Sequence, residues 1–560
     1  MPDALVIDSA QESRALHVVQ AYHDRSKHRL DGYAAGPDTL DWDAQPDPFR
    51  RYVGAPLTAL PFGADALHTP WVDLFEPGRI APRPLDRASI GLLFELSLAL
   101  AAWKQFGPDR WAVRINPSSS NLHPTEGWLL CHGVPGLPDG VHHYAPHEHA
   151  LEHRGAVETA NGTTAPRACV ALSSITWREA WKYGERAFRY CQLDAGHALG
   201  ALRYAAALLG WRLLPRPCST AALAHLLGLD RDADFGQAER EEPDALFELQ
   251  PCGVAAASET AWLLPRATRW HGVANRLDRH PMYCWPVIGE VTQATARADP
   301  QPRRDPARPT ASPLSGQTRQ AHAEAVTLIR QRRSAQRFDR RAALPLDALW
   351  PLLDALNPAR MPFDAGPADP RVHVLLFAHR VEGLAPGAYL LPRSAGGRER
   401  LRRELPETLD MRPCAQAPAE VPLLYLAENP ALAGTLRTLN CHQALGSDAI
   451  LGFALLAEFN PLSDAASYRD RLQEAGLIGQ VLYLEAEAMG LRGTGIGCFF
   501  DDALHEMLGL HAGAHMAALQ SVYHFTIGQP IVDDRISTEP PYAHLDPSRV
   551  PAADGERNTP

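Results

Sequence analysis

The chain of 560 residues is too long for a single hydrophobic core, which predicts two or more folded units. Its 45% hydrophobic and 21% charged residues are typical of a soluble globular protein, and the formal net charge of -11 argues against a nucleic-acid surface. No apolar run is long enough to cross a bilayer and residues 1–14 lack the pattern of a signal peptide, so we expect a cytoplasmic protein without a membrane partner. The nine cysteines are scattered without a CxxC pair, which favours reduced thiols.

A polar loop is the first chemistry-bearing segment. In RINPSSSNLHPTEG, Pro117 and Pro124 restrict the backbone on both sides of Ser118, Ser119 and Asn121. Such restriction exposes the hydroxyl and amide groups between the prolines, which suits a ligand-binding loop. An ordinary surface turn explains the same composition equally well.

Histidines cluster next, in VHHYAPHEHALEHR at residues 141–154. The alternation of His142 and Tyr144 before a turn at Pro146 favours a strand and a hairpin over a metal site. We therefore expect no metal ligands here.

The stretch TWREAWKYGERAFRYC, residues 176–191, carries Lys182 and Tyr183. Both side chains relay protons when their surroundings shift their pKa values, and Glu185, Arg186 and Arg189 are close enough in sequence to do so. A charged, aromatic helix surface explains the same residues.

The chain repeats itself, with three matches in the same order. RSKHRLD from Arg25 matches RSAQRFD from Arg333, and ALAHLLGL from Ala222 matches ALHEMLGL from Ala503. Between them, FRYCQLDAGHALGALRYAAALLGWR matches YRDRLQEAGLIGQVLYLEAEAMGLR at an offset of 280 residues. Alanine and leucine at helical spacing make this middle element a buried helix in both copies.

The segment 292–320 is rich in Pro, Ala and Arg, which predicts a linker between a domain of residues 1–291 and a second of residues 321–535. The similar composition of residues 536–560 predicts a poorly ordered tail. Apolar segments at 372–378 and 521–528 are expected strands, so each half is a mixed helix and sheet domain. Two related domains are expected to pack about a pseudo-two-fold axis, as the subunits of a homodimer do.

Arginines mark the start of the second half, where Arg332, Arg333, Ser334 and Arg337 come at the end of the helical pattern EAVTLIRQRRS. Guanidinium groups match phosphate oxygens bidentately, which favours a site for a phosphate monoester. The alternative is a solvated basic face.

Glycines mark the segment RGTGIGCFF, where Gly493, Gly495 and Gly497 allow the backbone to approach a flat ligand. We interpret this segment as a turn that ends the helix VLYLEAEAMG. Because Rossmann glycines follow a strand and open a helix, a dinucleotide fingerprint is rejected.

Taken together, RSxxR[LF]D, PSSSNLHPTE, WKYGERAFRYC and GTGIGCFF resemble the nitroreductase superfamily of FMN enzymes. PSSSNLHPTE and KYGERAFR are similar to the SagB/ThcOx-type dehydrogenases, the azoline oxidases of thiazole and oxazole peptide biosynthesis. The resemblance covers residues 15–285 and 320–535. It implies an α+β fold of two tandem nitroreductase-like domains, each a central antiparallel sheet flanked by helices, packed as a pseudo-dimer.

The resemblance further implies one FMN site shared between the halves. The residues expected to hold it are Arg332, Arg333, Ser334 and Arg337 at the phosphate, Gly495, Gly497 and Cys498 beside the ring, and Pro117, Ser118, Ser119 and Asn121 from across. Gln336 departs from the family, which commonly has a basic residue there. A second site is expected to be lost because Asp24 stands where the second half has Arg332, so we expect one FMN per chain.

In the azoline oxidases a Lys-Tyr pair is catalytic, so the resemblance implies that Lys182 and Tyr183 remove a substrate proton while a hydride passes to flavin N5. The expected substrate is a small molecule or a peptide-derived azoline, with biosynthetic proteins as further partners. Two alternatives stay open: reduction of nitro or quinone compounds by NAD(P)H, and a non-catalytic tandem-domain partner in a biosynthetic complex.

Overall fold

The computed structural model describes residues 2–157, 165–253, 267–298, 323–367, 369–510 and 517–550, with the backbone alone for residues 2–9. None of the helices in these ranges combines the length and apolar character that crossing a bilayer requires.

The first half contains seven helices and twelve strands within the described residues. The helices are α1 (Pro2–Arg25), α2 (Arg87–Glu95), α3 (Thr176–Tyr183), α4 (Ala187–Leu208), α5 (Thr220–Leu227), α6 (Asp232–Phe235) and α7 (Pro286–Ala294). The strands are β1 (Tyr52–Val53), β2 (Leu57–Ala59), β3 (Leu100–Phe106), β4 (Asp109–Arg114), β5 (Thr125–His132), β6 (Gly140–Ala145), β7 (Ala150–Ala156), β8 (Arg167–Ser174), β9 (Trp211–Pro215), β10 (Glu242–Pro251), β11 (Arg269–Trp270) and β12 (Val273–Ala274).

The second half contributes the remaining described elements. Its helices are α8 (Ala325–Gln331), α9 (Leu346–Ala355), α10 (Ala395–Glu404), α11 (Leu432–Leu439), α12 (Ala444–Asp448), α13 (Ser467–Ala488) and α14 (Asp501–Met507). Its strands are β13 (Val372–Ala378), β14 (Gly387–Leu391), β15 (Arg412–Pro413), β16 (Leu424–Glu428), β17 (Leu451–Glu458), β18 (Arg492–Ile496), β19 (Leu519–Gly528) and β20 (Ser537–Glu539).

The two large sheets share one strand order. The first runs β7-β6-β5-β8-β10-β9 and the second β16-β14-β13-β17-β19-β18, with β11 and β15 added at corresponding edges and β2 also paired to β7. All of these pairs are antiparallel. The predicted α+β fold of antiparallel sheets flanked by helices is confirmed. The shared order is what an internal duplication produces.

The long helices α4 and α13 pack against each other at the centre of the molecule. Gly196 and Gly476, which the offset of 280 residues aligns, meet at their crossing. A Cβ atom on Gly196 would lie 2.1 Å from the carbonyl oxygen of Gln473, and one on Gly476 would lie 2.0 Å from that of Leu193. Only glycine permits this approach, and contact between equivalent positions is what a pseudo-two-fold axis produces.

Both helices are buried almost around their whole circumference, as the repeated alanine and leucine pattern predicts. Each packs on its own sheet and on the helix of the other half, so no face remains for solvent. The predicted strands at 372–378 and 521–528 correspond to β13 and β19, and the histidine-rich segment forms the β6–β7 hairpin, as predicted.

Each half is also bound by a terminal segment of the other. The His23 ring of α1 hydrogen-bonds Tyr468 Oη at 3.0 Å and Gln520 Oε1 at 3.1 Å in the second half. In return, β20 pairs with β3 of the first half, and Tyr542 Oη donates to the carbonyl of Pro146 at 3.0 Å. The tail from residue 536 was predicted to be poorly ordered; its described part to residue 550 instead packs on the first half.

The predicted linker begins inside a helix, because α7 extends to Ala294. Thr295 Oγ1 accepts from Arg469 Nε at 2.8 Å, and Arg297 forms an ion pair with Asp470 at 2.6 Å. Residues 292–298 therefore join the halves, while the rest of the predicted linker, 299–320, lies outside the described residues.

Candidate functional site

The loop between β4 and β5 contains the predicted residues Pro117 to Asn121. Ser120 and Asn121 have left-handed backbone angles, with φ of 46° and 62°. Ser118 Oγ accepts from the backbone N–H of His123 at 2.8 Å, and Asn121 Nδ2 donates to the Ala112 carbonyl at 2.6 Å. These two side chains fix the shape of the loop, and Ser120 between them is exposed.

Ser120 joins this loop to the predicted proton-relay pair at the end of α3. Its Oγ hydrogen-bonds Tyr183 Oη, and the Tyr183 ring packs on Tyr190 with centroids 4.3 Å apart. Lys182 Nζ lies 5.1 Å from the centroid of the Trp42 ring. Two motifs that are about sixty residues apart in sequence therefore meet at one hydrogen bond.

Buried carboxyl groups lie beside the pair. Asp194 of α4 accepts from Ser119 N–H and Oγ at 3.1 Å, and burial raises its pKa to about 7. Glu179 of α3 is fully buried and neither carboxyl oxygen has a hydrogen-bond partner; burial, with Asp194 nearby, raises its pKa well above the usual value. Burial also lowers the pKa of Lys182 and raises that of Tyr183.

The prediction that Glu185, Arg186 and Arg189 tune the pair is wrong. Glu185 forms an ion pair with Arg25 at 2.5 Å. Arg186 and Arg189 both bind the buried Asp501 carboxylate, at 3.0 and 2.8 Å. Arg25 offsets the charge of Glu185, and Asp501 offsets part of the charge of the two arginines, whereas burial and Glu179 act on the relay pair.

The glycine segment is a strand rather than the predicted turn. α13 ends at Ala488 and β18 begins at Arg492, pairing with β19 at the sheet edge. The Gly495 N–H donates to Tyr483 Oη at 3.0 Å, and that hydroxyl is 2.8 Å from Ser334 Oγ. The glycine strand and the RS segment of the second half are therefore linked through Tyr483.

Aromatic rings cover this strand closely. A Cβ atom on Gly495 would lie 1.8 Å from Tyr523 Oη, and one on Gly497 would lie 1.9 Å from Tyr190 Cε1. Tyr190 also packs on Tyr183, so Gly497 and the neighbouring Cys498 lie beside the relay pair. Only a residue without a side chain fits under these rings.

Four basic side chains, here named the cation cluster, lie where the second half meets β3 and β4. They are Lys104, Arg332, Arg333 and Arg492. Arg332 Nε donates to the Ile115 carbonyl at 3.1 Å, and Arg333 Nη2 donates to that of Ala101 at 3.1 Å.

The carboxylate that these cations contact belongs to Glu487, 3.4 Å from Arg492 Nε. Burial, together with Arg332 and Arg492, lowers the pKa of Arg333 to about 10. Burial, with Arg333 and Arg492, also lowers the pKa of Lys104. The cluster is therefore a region of excess positive charge, which suits a dianion.

Arg337 is the fourth predicted phosphate ligand. It is exposed, and its carbonyl accepts from the Ile531 N–H at 3.0 Å. Its place at the phosphate stays a prediction.

Sequence reasoning missed several residues of the site. Arg492 directly precedes Gly493, and Tyr190 lies within the motif WKYGERAFRYC, so the motifs already contained or adjoined both residues. Asp194 sits in the repeated helix, where it aligns with Glu474. Lys104 carries no sequence pattern; it lies in β3, whose Ala101 carbonyl accepts from Arg333 Nη2.

A cavity of about 600 Å³ opens at the other end of α3. Thr176, Trp177, Glu242 and Arg276 contribute to its lining, and none of the predicted site residues does. The relay pair, at the last residues of α3, is therefore outside this cavity.

Comparison with known proteins agrees with this architecture. Residues 329–528 match the model of the Nitroreductase family. The chain contains a nitroreductase-family domain. No curated protein matches the sequence.

Solved structures extend the likeness to both halves. A protein assigned as a nitroreductase from Anabaena variabilis aligns with 92% of this chain and 99% of its own, with 20% identity and a TM-score of 0.64. One from Ralstonia eutropha covers 42% of this chain and 89% of its own, with 16% identity and a TM-score of 0.24. The E. coli microcin synthetase McbBCD complex with truncated pro-MccB17 bound covers 44% and 94%, with 15% identity and a TM-score of 0.25. The first of these shows that the two-unit fold of the whole chain is shared.

Proposed function

We propose that the chain is an FMN-dependent oxidoreductase of the SagB/ThcOx type, which dehydrogenates a small molecule or a peptide-derived azoline. The observation that carries the proposal is the hydrogen bond between Ser120 and Tyr183, with Tyr183 packed on Tyr190 against Gly497. Three motifs distant in sequence converge there. Their convergence across the two halves supports one composite site.

The residues present fit the phosphate end of FMN. Burial, with Arg332 and Arg492, lowers the pKa of Arg333, and burial, with Arg333 and Arg492, lowers that of Lys104. This excess of positive charge favours binding of a phosphate dianion. The Ser334 hydroxyl hydrogen-bonds Tyr483 Oη, and the Arg332 guanidinium lies over the ring of that tyrosine. Arg332, satisfied by carbonyls of the first half, contributes charge and joins the halves.

The other end of the site suits a flat ring and proton transfer. FMN, when bound, supplies the hydride chemistry. Because burial lowers the pKa of Lys182, its Nζ is the group that accepts a substrate proton, while Tyr183 Oη keeps its own proton and donates a hydrogen bond. Tyr190 and the Ser118–Asn121 loop hold the Tyr183 side chain in place.

The first experiment measures the visible spectrum and the released flavin of the purified full chain. One FMN per chain is expected. Anaerobic bleaching by an azoline-containing peptide supports dehydrogenation, whereas bleaching by NAD(P)H alone supports nitro or quinone reduction. A colourless chain that cannot be reconstituted with FMN contradicts both and leaves the role of a binding partner.

Variants then test the roles of the relay pair. Lys182→Ala and Tyr183→Phe are expected to retain FMN and to lose about 10²- to 10⁴-fold in turnover. Tyr425→Phe is the matched control, because β16 lies five strands from β18 in the sheet. Loss of flavin with unchanged turnover per bound flavin would reverse the assignment of roles.

A further inference from the structure

Two thiols from distant segments lie together beside the candidate site. Cys498 follows β18, Cys441 follows α11, and their sulfur atoms are 2.8 Å apart. Both side chains are partly exposed. A disulfide bond is about 2.05 Å long, so small side-chain movements would bring the two sulfur atoms to bonding distance.

The backbone around Cys441 is held in an uncommon conformation. Cys441 and His442 both have left-handed angles, with φ of 51° and 61°. Such angles cost free energy in residues other than glycine and persist where the surroundings impose them. Here the Phe500 N–H donates to the Leu439 carbonyl at 2.8 Å, and Gln443 Nε2 donates to the Cys498 carbonyl at 3.3 Å. The two cysteine segments are thus tied on both sides of the thiols.

The surroundings favour the thiolate at Cys498. Hydrogen bonds from Cys441 and His28, with the positive charge of Arg186, lower the pKa of Cys498, whereas the pKa of Cys441 is raised. The Ala34 N–H donates to His28 Nδ1 at 3.0 Å, so in the neutral ring the proton is on Nε2, which is left to donate to the sulfur. Arg186 Nη2 donates to the Gly497 carbonyl at 3.0 Å, one peptide from the thiol.

We propose that Cys498 and Cys441 form a thiol–disulfide exchange site for low-molecular-weight disulfides. The Cys498 thiolate attacks one sulfur of the disulfide RSSR, forming a mixed disulfide and releasing one thiolate RS⁻. The Cys441 sulfur, after losing its proton, then attacks Cys498 Sγ and displaces the second RS⁻. The protein dithiol is oxidised by two electrons, the small disulfide is reduced by two electrons, and two RSH leave once protonated. This chemistry does not depend on a bound flavin.

The test uses the reduced full-length chain and glutathione disulfide as the probe. Wild type is expected to release two glutathione thiols per chain and to yield a Cys441–Cys498 linked peptide on mass mapping. Cys441→Ser should stop at the mixed disulfide, with one glutathione retained on Cys498. Cys498→Ser should slow glutathione release at least about 10-fold.

The exposed Cys284 provides the matched control, because Cys284→Ser should react as wild type does. His28→Gln provides a variant that keeps both thiols and should lower the rate of the first step. A mixed disulfide confined to Cys284, or wild-type protein without the linked peptide, would overturn the proposal. Circular dichroism of each variant separates a loss of reaction from a loss of fold.

Discussion

Arg25 and Arg333 occupy the same place in the repeated RS motif, yet their surroundings are opposite in charge. In the first half, Arg25 pairs with Glu185 at 2.5 Å, and Lys27 and Arg29 pair with Asp502 at 2.7 and 2.9 Å. In the second half, the Arg333 guanidinium donates to backbone carbonyls and lies among other cations. Duplication preserved the backbone, while the charges around it diverged.

The repeated helix shows the reverse difference. Asp194 of α4 is bound by Ser119, and no cation of the described residues pairs with it, whereas Glu474, at the aligned position of α13, binds Arg393. The first half thus supplies a titratable acid and the second half supplies excess cations. In the composite site that we propose, this difference agrees with the expectation of a single FMN per chain.

The largest expected effect is on the free energy of unfolding, at Asp501, which pairs with two buried arginines of the first half. Asp501→Asn should lower the free energy of unfolding by about 3–5 kcal/mol, because Arg186 and Arg189 would remain buried without a counter-charge. Urea denaturation measures it. Glu539→Gln, which breaks the exposed pair with Arg110, should cost under about 1 kcal/mol. Equal losses in the two variants would contradict the comparison.

The next effect concerns the aligned arginines. Arg333→Ala should weaken FMN binding about 10- to 100-fold, since it removes a charged hydrogen-bond donor from the cation cluster. Arg25→Ala should leave FMN affinity unchanged. Fluorescence titration of apo-protein with FMN measures both, and a comparable loss in Arg25→Ala would show that the first RS segment also binds phosphate.

The raised pKa of Asp194 predicts that the stability of the fold depends on pH. The pKa of Asp194 is raised to about 7, so between about pH 4 and 7 the folded state binds more protons than the unfolded state. Wild type should therefore lose stability relative to Asp194→Asn as the pH rises through this window. Melting temperatures at several pH values measure the difference, and a constant difference would show that the carboxyl group is already ionised at pH 4.

The smallest expected effect is on FMN affinity, and it tests whether net positive charge in the cation cluster favours the phosphate. Glu487→Gln removes a negative charge from the cation cluster and should strengthen FMN binding about 2- to 5-fold, corresponding to up to about 1 kcal/mol. The same titration detects it. A weakened complex would mean that Glu487 positions Arg492 and Arg333 rather than opposing the phosphate.

Sequence patterns predicted the buried helices, the strands at 372–378 and 521–528, and the duplication. Apolar periodicity and repeated motifs can both be recognised within short stretches of sequence. They also placed Tyr183 near the Ser118–Asn121 loop through the family resemblance. They could not place β3 and its Lys104 beside Arg333, or the described tail against β3, because these contacts join segments more than 200 residues apart. Nor could they show that Arg186 and Arg189 face Asp501, since contacts over more than 300 residues leave no local pattern.

The exchange of terminal segments has a consequence for synthesis on the ribosome. His23 of α1 is buried against Tyr468 and Gln520, which are 445 and 497 residues further along the chain. A domain usually folds once it has emerged, but α1 must wait until Tyr468 and Gln520 have also been translated. The first half then completes its folding only when β19 has emerged, so chains released before that point would expose α1 to chaperones and proteases.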